Sequence, residues 1–250
     1  MPIEANLARL HDQIAQACRH ANRPASDVAL MAVSKLHPIE ALLEAHAAGH
    51  RLFGENRVQE FAEKYPSLAA LGAAGPTLAR TDSPYAQYPY AEYHLIGPLQ
   101  NNKTNRAAEL FDAIDTVDSL KLATRLNTAA AALNKRLPIY IEVKLSHEES
   151  KHGLAPDDLP ALLNDIAPLT NLLPIGLMTV PPWTGPDDPE PARPYFRRLR
   201  QLRDQQQRLH PTLTQLSIGM SNDFTVAIEE GSTCIRIGTA IFGKREPLPQ

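Results

Sequence analysis

The sequence predicts a (β/α)8 barrel preceded by one extra helix. Eight short apolar runs alternate with amphipathic segments along the 250 residues. Most of these runs are apolar throughout, as strands of a parallel sheet covered on both faces are. The length is also that of one such barrel, typically about 250 residues. An open doubly wound sheet is the alternative for the same alternation, and eight buried strands favour closure. The expectation is one domain over residues 1–250, with its core over about residues 26–245.

Each element has its own signal. Ile3, Leu7, Leu10, Ile14 and Ala17 recur at helical spacing and predict a helix over residues 3–21. VALMAVSK, residues 28–35, reads as the first strand, and HPIEALLEAHAAGH after it as a helix with Pro38 in its first turn. RLFGEN ends the second strand near Asn56, and VQEFAEKY is helical. YHLIG precedes the helix NKTNRAAELF, and AIDTVDS precedes KLATRLNTAAAALN. PIYIEVK pairs with PDDLPALLNDIAPL, and LLPIGLMTV with the helix around PARPYFRRLRQLRDQQQRLH. TQLSIGM leads to the short helix DFTVAIEEG, and CIRIGTAIFG closes the set with no helix after it. Residues 67–91 lack a period and read as a long excursion; residues 181–191 read as a proline-rich loop.

Composition narrows the function classes. A formal charge of −3 lacks the basic surplus of a general nucleic-acid binder, and 43% hydrophobic residues exclude a disordered chain. No stretch approaches the ~20 apolar residues of a membrane span. The N-terminus carries an early acid and no apolar segment, so no secretory signal is expected. With no export signal, Cys18 and Cys234 are not expected to pair, and the protein is expected in the cytoplasm. The nine histidines form neither His-x-His nor His-Glu-x-x-His, so no metal site is expected.

In a parallel barrel, chemistry sits at the C-terminal ends of the strands. Lys35 stands at the end of the first strand. An amine in a partly dry cavity has a lowered pKa and can attack an aldehyde; the plain alternative is a solvated lysine capping a strand. In CIRIGTAIFG, Cys234, Arg236 and Gly238 share one face and Ile235 and Ile237 the other, which turns Arg236 toward the barrel axis. There a charge needs a ligand or a partner, and a structural ion pair with Glu142 is the competing reading. Gly238 and Thr239 offer close backbone approach and a hydroxyl, and Ser221 offers a second hydroxyl before the helix near Asp223. Loops after the seventh and eighth strands of such barrels often bind phosphate. The stretch from Gly238 to Lys244 resembles a P-loop, but Arg245 stands where Ser or Thr is required.

The blocks AVSKLHP, FGENRVQE, HLIGPLQNNK, ESKHGL, GLMT, GMSND and RIGTAIFG run in this order from Ala32 to Gly243. By them the chain resembles the pyridoxal phosphate homeostasis proteins, single-domain TIM barrels related to the N-terminal domain of alanine racemase. The resemblance implies that Lys35 holds pyridoxal 5'-phosphate as a Schiff base. It implies phosphate contacts from Ser221, Gly238 and Thr239, Arg236 facing the pyridine nitrogen, and Asn56 lining the pocket. It also implies cofactor buffering and delivery to dependent apoenzymes, without a defined catalytic reaction. No nucleic acid or membrane partner is implied, and a monomer is expected. A pyridoxal-phosphate-dependent racemase or decarboxylase is the alternative; it requires a second acid/base, for which Tyr93, His94 and Lys144 are the candidates. A third reading is a scaffold presenting residues 181–191 to a protein partner.

The sequence departs from the family pattern in three places. Glu142 and Lys144 stand where Gln and Asn are expected, and their shared strand face predicts an ion pair between them. SKLHP replaces the more familiar SKTKP, and residues 67–91 look longer than usual.

Overall fold

The computed structural model describes residues 2–70, 73, 90–146, 148, 152–183, 185 and 188–243. Eight parallel strands close into a barrel: β1 (Ala29–Val33), β2 (Leu52–Glu55), β3 (Glu92–Leu95), β4 (Ala113–Val117), β5 (Leu137–Glu142), β6 (Leu172–Met178), β7 (Gln215–Ser217) and β8 (Cys234–Ile237). Every strand pairs with the next, and β8 returns to β1 in the register Ala29↔Cys234, Leu30↔Ile235, Met31↔Arg236, Ala32↔Ile237. That seam settles the faces of β8. Ile235 and Ile237 join Leu30 and Ala32 in the core between barrel and helices, while Cys234 packs with Met31 and Leu52. Gly54 of β2 makes room for this second cluster, since a Cβ there would lie 2.7 Å from Met31 Sδ.

The outer layer consists of α1 (Ile3–His20), α2 (Ile39–Ala47), α3 (Val58–Ala70), α4 (Thr104–Leu110), α5 (Leu120–Ala132), α6 (Leu159–Ile166), α7 (Arg193–Gln207), α8 (Phe224–Glu229) and α9 (Thr239–Phe242). The last two are only 6 and 4 residues long, too short to cover their side of the barrel. The extra helix fills that gap. α1 buries Ile3, Leu7, Leu10 and Ile14 and packs against α2, α8 and α9. Asn6 Nδ2 ties it to the carbonyl of Ile241 at 2.8 Å, and Glu44 Oε1 accepts from the Ile3 N–H at 2.8 Å. No helix among the described residues is long and apolar enough to cross a membrane.

The structure corrects the expected elements at three points. β8 is followed by a helix after all: α9 forms where Gly238 leaves the strand, and Gly243, at φ +84°, stops it. α2 starts at Ile39, with Pro38 as its extended N-cap. α3 runs through Pro66 to Ala70, so the first residues of the predicted excursion are helical. Proline removes one backbone donor there; burial of Phe61 and Leu68 on one face carries the helix across it. The remainder of the excursion, apart from Ala73, Tyr90 and Ala91, lies outside the described residues.

Candidate functional site

The first side of the site is the turn after β1. The Ser34 N–H donates to the Gly54 carbonyl at 3.0 Å, prolonging the β1–β2 pairing by one residue. Lys35 follows, half-buried, and Leu36 takes φ +60°. A leucine in the left-handed region costs on the order of 1–3 kcal/mol and persists only where its surroundings hold it. On the neighbouring strand end, Asn56 is seated against Gly97. A Cβ at Gly97 would lie 2.3 Å from the Asn56 carbonyl oxygen and 2.9 Å from its Cα, so glycine is required there for close approach. Gly97→Ala must therefore push the loops after β2 and β3 apart. We expect a loss of at least about 2 kcal/mol of unfolding free energy in urea, the range of overpacking against backbone; an unchanged midpoint would mean that the two loops yield freely.

The second side is β8. Arg236 is 5% exposed. Its Nη1 donates to the carbonyl of Ser217 and, at 2.8 Å, to the Ser217 hydroxyl; its Nη2 donates to the Thr179 carbonyl at 2.9 Å. The Ser217 hydroxyl in turn donates to Asp115 Oδ2 at 3.2 Å, and Asp115 Oδ1 lies 2.9 Å from His94 Nδ1. A polar chain thus crosses the barrel from β8 through β7 and β4 to β3. His94 is its inner end, buried and bonded as a structural residue. Burial presses its imidazolium toward deprotonation, but the Asp115 carboxylate outweighs that and the pKa stands above the ordinary value.

The competing reading of Arg236 is not what the structure contains. Among the described residues Arg236 forms no ion pair, with Glu142 or any other carboxylate, and Glu142 forms none with Lys144. Glu142 and Lys144 instead line a cavity of about 200 Å³ with Ser146, His152 and Thr179. A larger cavity, about 630 Å³, lies at the other end of the barrel beside Leu30, Leu52 and Glu92. That face of a parallel barrel serves stability rather than chemistry.

Glu142 is 8% exposed, and burial lifts its pKa from 4.5 to about 7 against the opposing pull of Arg236. Between those two values the folded protein holds a proton that the unfolded chain has released, so stability falls as pH rises through the window. At ~1.4 kcal/mol per pKa unit the loss amounts to roughly 3 kcal/mol. Glu142→Gln should flatten the profile. The variant should match the parent near pH 4 and exceed it by about 2–3 kcal/mol at pH 8, read from urea midpoints across pH. Parallel profiles would place the titration elsewhere.

The third side is the pair of turns after β7 and β8. Met220 and Asp223 close the GMSND turn reciprocally: the Met220 N–H donates to Asp223 Oδ1 at 2.6 Å, and the Asp223 N–H to the Met220 carbonyl at 3.1 Å. The backbone N–H groups of Ser221 and Asn222 donate to no backbone carbonyl among the described residues. Those of Thr239 and Ala240 open α9 and have no carbonyl one turn earlier. The Arg236 N–H donates to the Gly219 carbonyl at 2.9 Å, which lays the two turns side by side. Gly238 keeps them close to β1, since its Cβ would lie 3.3 Å from the Val33 carbonyl oxygen.

Comparison with known proteins bears on this arrangement. Residues 5–246 match the family model described as alanine racemase, N-terminal domain. The pyridoxal phosphate homeostasis protein of Vibrio cholerae is 41% identical over 251 residues, covering 98% of this chain and 97% of the relative. That of Escherichia coli is 38% identical over 250 residues, covering 98% and 97%. This chain belongs to the pyridoxal phosphate homeostasis protein family. A solved family member, PipY of Synechococcus elongatus with PLP bound, superposes with a TM-score of 0.79 at 37% identity over 96% of this chain and all of that one. An alanine racemase of Clostridium difficile, 12% identical with a TM-score of 0.70, shares the fold over 58% of its length.

Within this homeostasis-protein barrel, all six residues singled out from the sequence lie at the C-terminal ends of β1, β2, β7 and β8. Lys35 and Asn56 close one side, and Ser221, Arg236, Gly238 and Thr239 the other, joined across the β1–β8 seam. Sequence reasoning passed over Asp115 and Ser217, which hold Arg236 in place. Their signal was an acid and a hydroxyl inside otherwise apolar strands. It also gave no role to Ser34, Glu55 and Thr179, although all three stand at strand ends, and it missed Glu60 and Lys64 on α3.

Proposed function

We propose that the protein holds pyridoxal 5'-phosphate as a Schiff base on Lys35 and buffers and delivers it in the cell, with no reaction of its own. The observation that carries this reading is the seam geometry: one amine, one immobilised guanidinium and two phosphate-sized turns around a single strand end. The donor set suits the cofactor group by group. Lys35 supplies an amine for the aldehyde. The hydroxyls of Ser221 and Thr239 and the unpaired N–H groups beside them supply phosphate donors. The short helices α8 and α9 add little dipole, so the individual N–H groups matter. Arg236 does not release its proton at ordinary pH, so it donates to a ring nitrogen and discourages its protonation. A bound pyridoxal ring supplies an electron sink, and one with an unprotonated nitrogen is a weak sink.

The racemase or decarboxylase alternative needs a second acid/base facing Lys35. Tyr93 is 1% exposed, its hydroxyl donates to the Ala73 carbonyl at 3.2 Å, and burial raises its pKa far above the phenol value. His94 is bound to Asp115 beneath the site. Both are committed inward, which leaves Lys144 as the remaining candidate. We place the protein in the cytoplasm as a monomer whose partners are the cofactor and the apoenzymes that receive it.

Borohydride reduction after incubation with pyridoxal phosphate, followed by peptide mapping, tests the assignment. The label should fall on the peptide carrying Lys35; a label elsewhere, or none, sinks the reading. Incubation with amino acids in deuterated water should give no substantial α-proton exchange, and fast exchange that depends on Lys35 would establish the enzyme instead.

A further inference from the structure

Three charged residues behind Lys35 converge on the peptide units on either side of it. Glu55 ends β2 with its side chain fully buried. Glu60 and Lys64 face it from α3, one turn apart. Lys64 Nζ lies 2.9 Å from Glu55 Oε1 and 2.8 Å from Glu60 Oε1, and donates to the Ser34 carbonyl at 3.2 Å. Three ammonium protons thus meet three acceptors. Glu55 Oε1 also accepts the Ser34 hydroxyl at 2.8 Å, and Glu60 Oε1 accepts the Leu36 N–H at 2.6 Å. Ser34 is held by its carbonyl and its side chain, Leu36 by its N–H, and Lys35 stands between them.

Stability alone is a poor explanation for this arrangement. Buried ion pairs recover little more than their desolvation cost. Glu55 keeps a buried second carboxylate oxygen, Oε2, without a partner. Leu36 meanwhile sits in the left-handed region at φ +60°, which needs an external hold.

We propose that Glu55, Glu60 and Lys64 form a positioning clamp that fixes the turn carrying Lys35, and so sets the direction and charge surroundings of its amine. The inference rests on Lys35 being the residue that takes the aldehyde. In that step the neutral amine nitrogen bonds to the aldehyde carbon, the C–O bond breaks, and the oxygen leaves as water with two protons. Its rate depends on where the amine points and whether it is protonated. With both carboxylates ionised the clamp carries a charge of −1, and removing Lys64 makes it −2. A stronger anion raises the proton affinity of a nearby amine or imine nitrogen. The other charged groups flanking β1 are His37 ahead of α2 and Arg236 of β8; the variants below leave both in place.

The test mixes pyridoxal phosphate with wild-type protein, Lys64→Met, Lys64→Arg and Glu60→Ala, each freed of cofactor. Imine formation is followed by absorbance across pH, and each product is reduced and mapped. The clamp predicts that Lys64→Met and Glu60→Ala form the imine at least tenfold more slowly, that Lys64→Met titrates it at a higher pH midpoint, and that Lys64→Arg restores most of both. Thermal melts identify which variants fold. Glu60 is partly solvent-exposed, so Glu60→Ala decides the question if Lys64→Met does not fold. Folded variants with rates within twofold of wild type and unmoved midpoints overturn the clamp while wild-type labelling at Lys35 stands. Wild-type protein that takes no label at Lys35 overturns the proposed function, and the clamp with it.

Discussion

Lys35→Ala should lose covalent attachment of pyridoxal phosphate altogether. The absorbance band of the imine should be absent at any cofactor concentration, and no reducible adduct should map to the β1 turn. The phosphate turns after β7 and β8 are untouched, so weak noncovalent binding should survive. Melting separates the two components. A ligand that binds only the folded state stabilises it by RT ln(1 + [L]/Kd), about 2.7 kcal/mol at a hundredfold excess over Kd. Wild-type protein should show a rise in melting temperature at cofactor concentrations where the alanine variant shows little. Lys35→Arg keeps the positive charge but offers no amine able to condense with an aldehyde. It should lose the band as completely as alanine while keeping more of the noncovalent affinity. If Lys35→Arg or Lys35→Ala retains a reducible adduct at another lysine with undiminished yield, the attachment point has been misassigned, and Lys144, lining the nearby cavity, is the first residue to inspect.

The fold was legible because its signals are local. A buried strand such as ALMAV and an amphipathic helix such as IEANLARLHDQIAQACRH each announce themselves within one segment. The six site residues were legible because the rule for parallel barrels turns sequence position into spatial position: whatever follows a strand lies on the working face. What supports those residues was harder to see, because it depends on pairing across the barrel. Asp115 and Ser217 are 102 positions apart and Ser217 and Arg236 are 19, and no spacing pattern links them. The Glu142–Lys144 ion pair failed for a related reason. Sharing a strand face brings two side chains to the same side, but the ion pair also needs both to turn toward each other, and here both face a cavity. The helix after β8 escaped notice because its four residues are shorter than any periodic signal.

Arg236→Met is the sharper test of the barrel interior. The substitution keeps volume and removes every donor. The carbonyls of Ser217 and Thr179 and the Ser217 hydroxyl then lose the group that satisfies them. A buried polar group left without a partner costs about 1–3 kcal/mol. The cofactor-free protein should therefore unfold with about 3–5 kcal/mol less free energy, and pyridoxal phosphate should bind on the order of a hundredfold more weakly, equivalent to ~2.7 kcal/mol. Arg236→Lys should recover little, since one ammonium does not reproduce a planar fork reaching both carbonyls. A second consequence separates a loss of packing from a loss of charge. Arg236 lowers the proton affinity of Glu142. Its removal should push that carboxyl further above 7 and steepen the fall in stability toward alkaline pH. Adding Glu142→Gln to Arg236→Met should then recover more stability at pH 8 than Glu142→Gln gains in the wild-type background, and this excess should vanish near pH 4. If the two substitutions are additive at both pH values, the guanidinium does not act on the Glu142 carboxyl, and the short hydrogen bonds to Ser217 and Thr179 account for all that Arg236 does in the cofactor-free barrel.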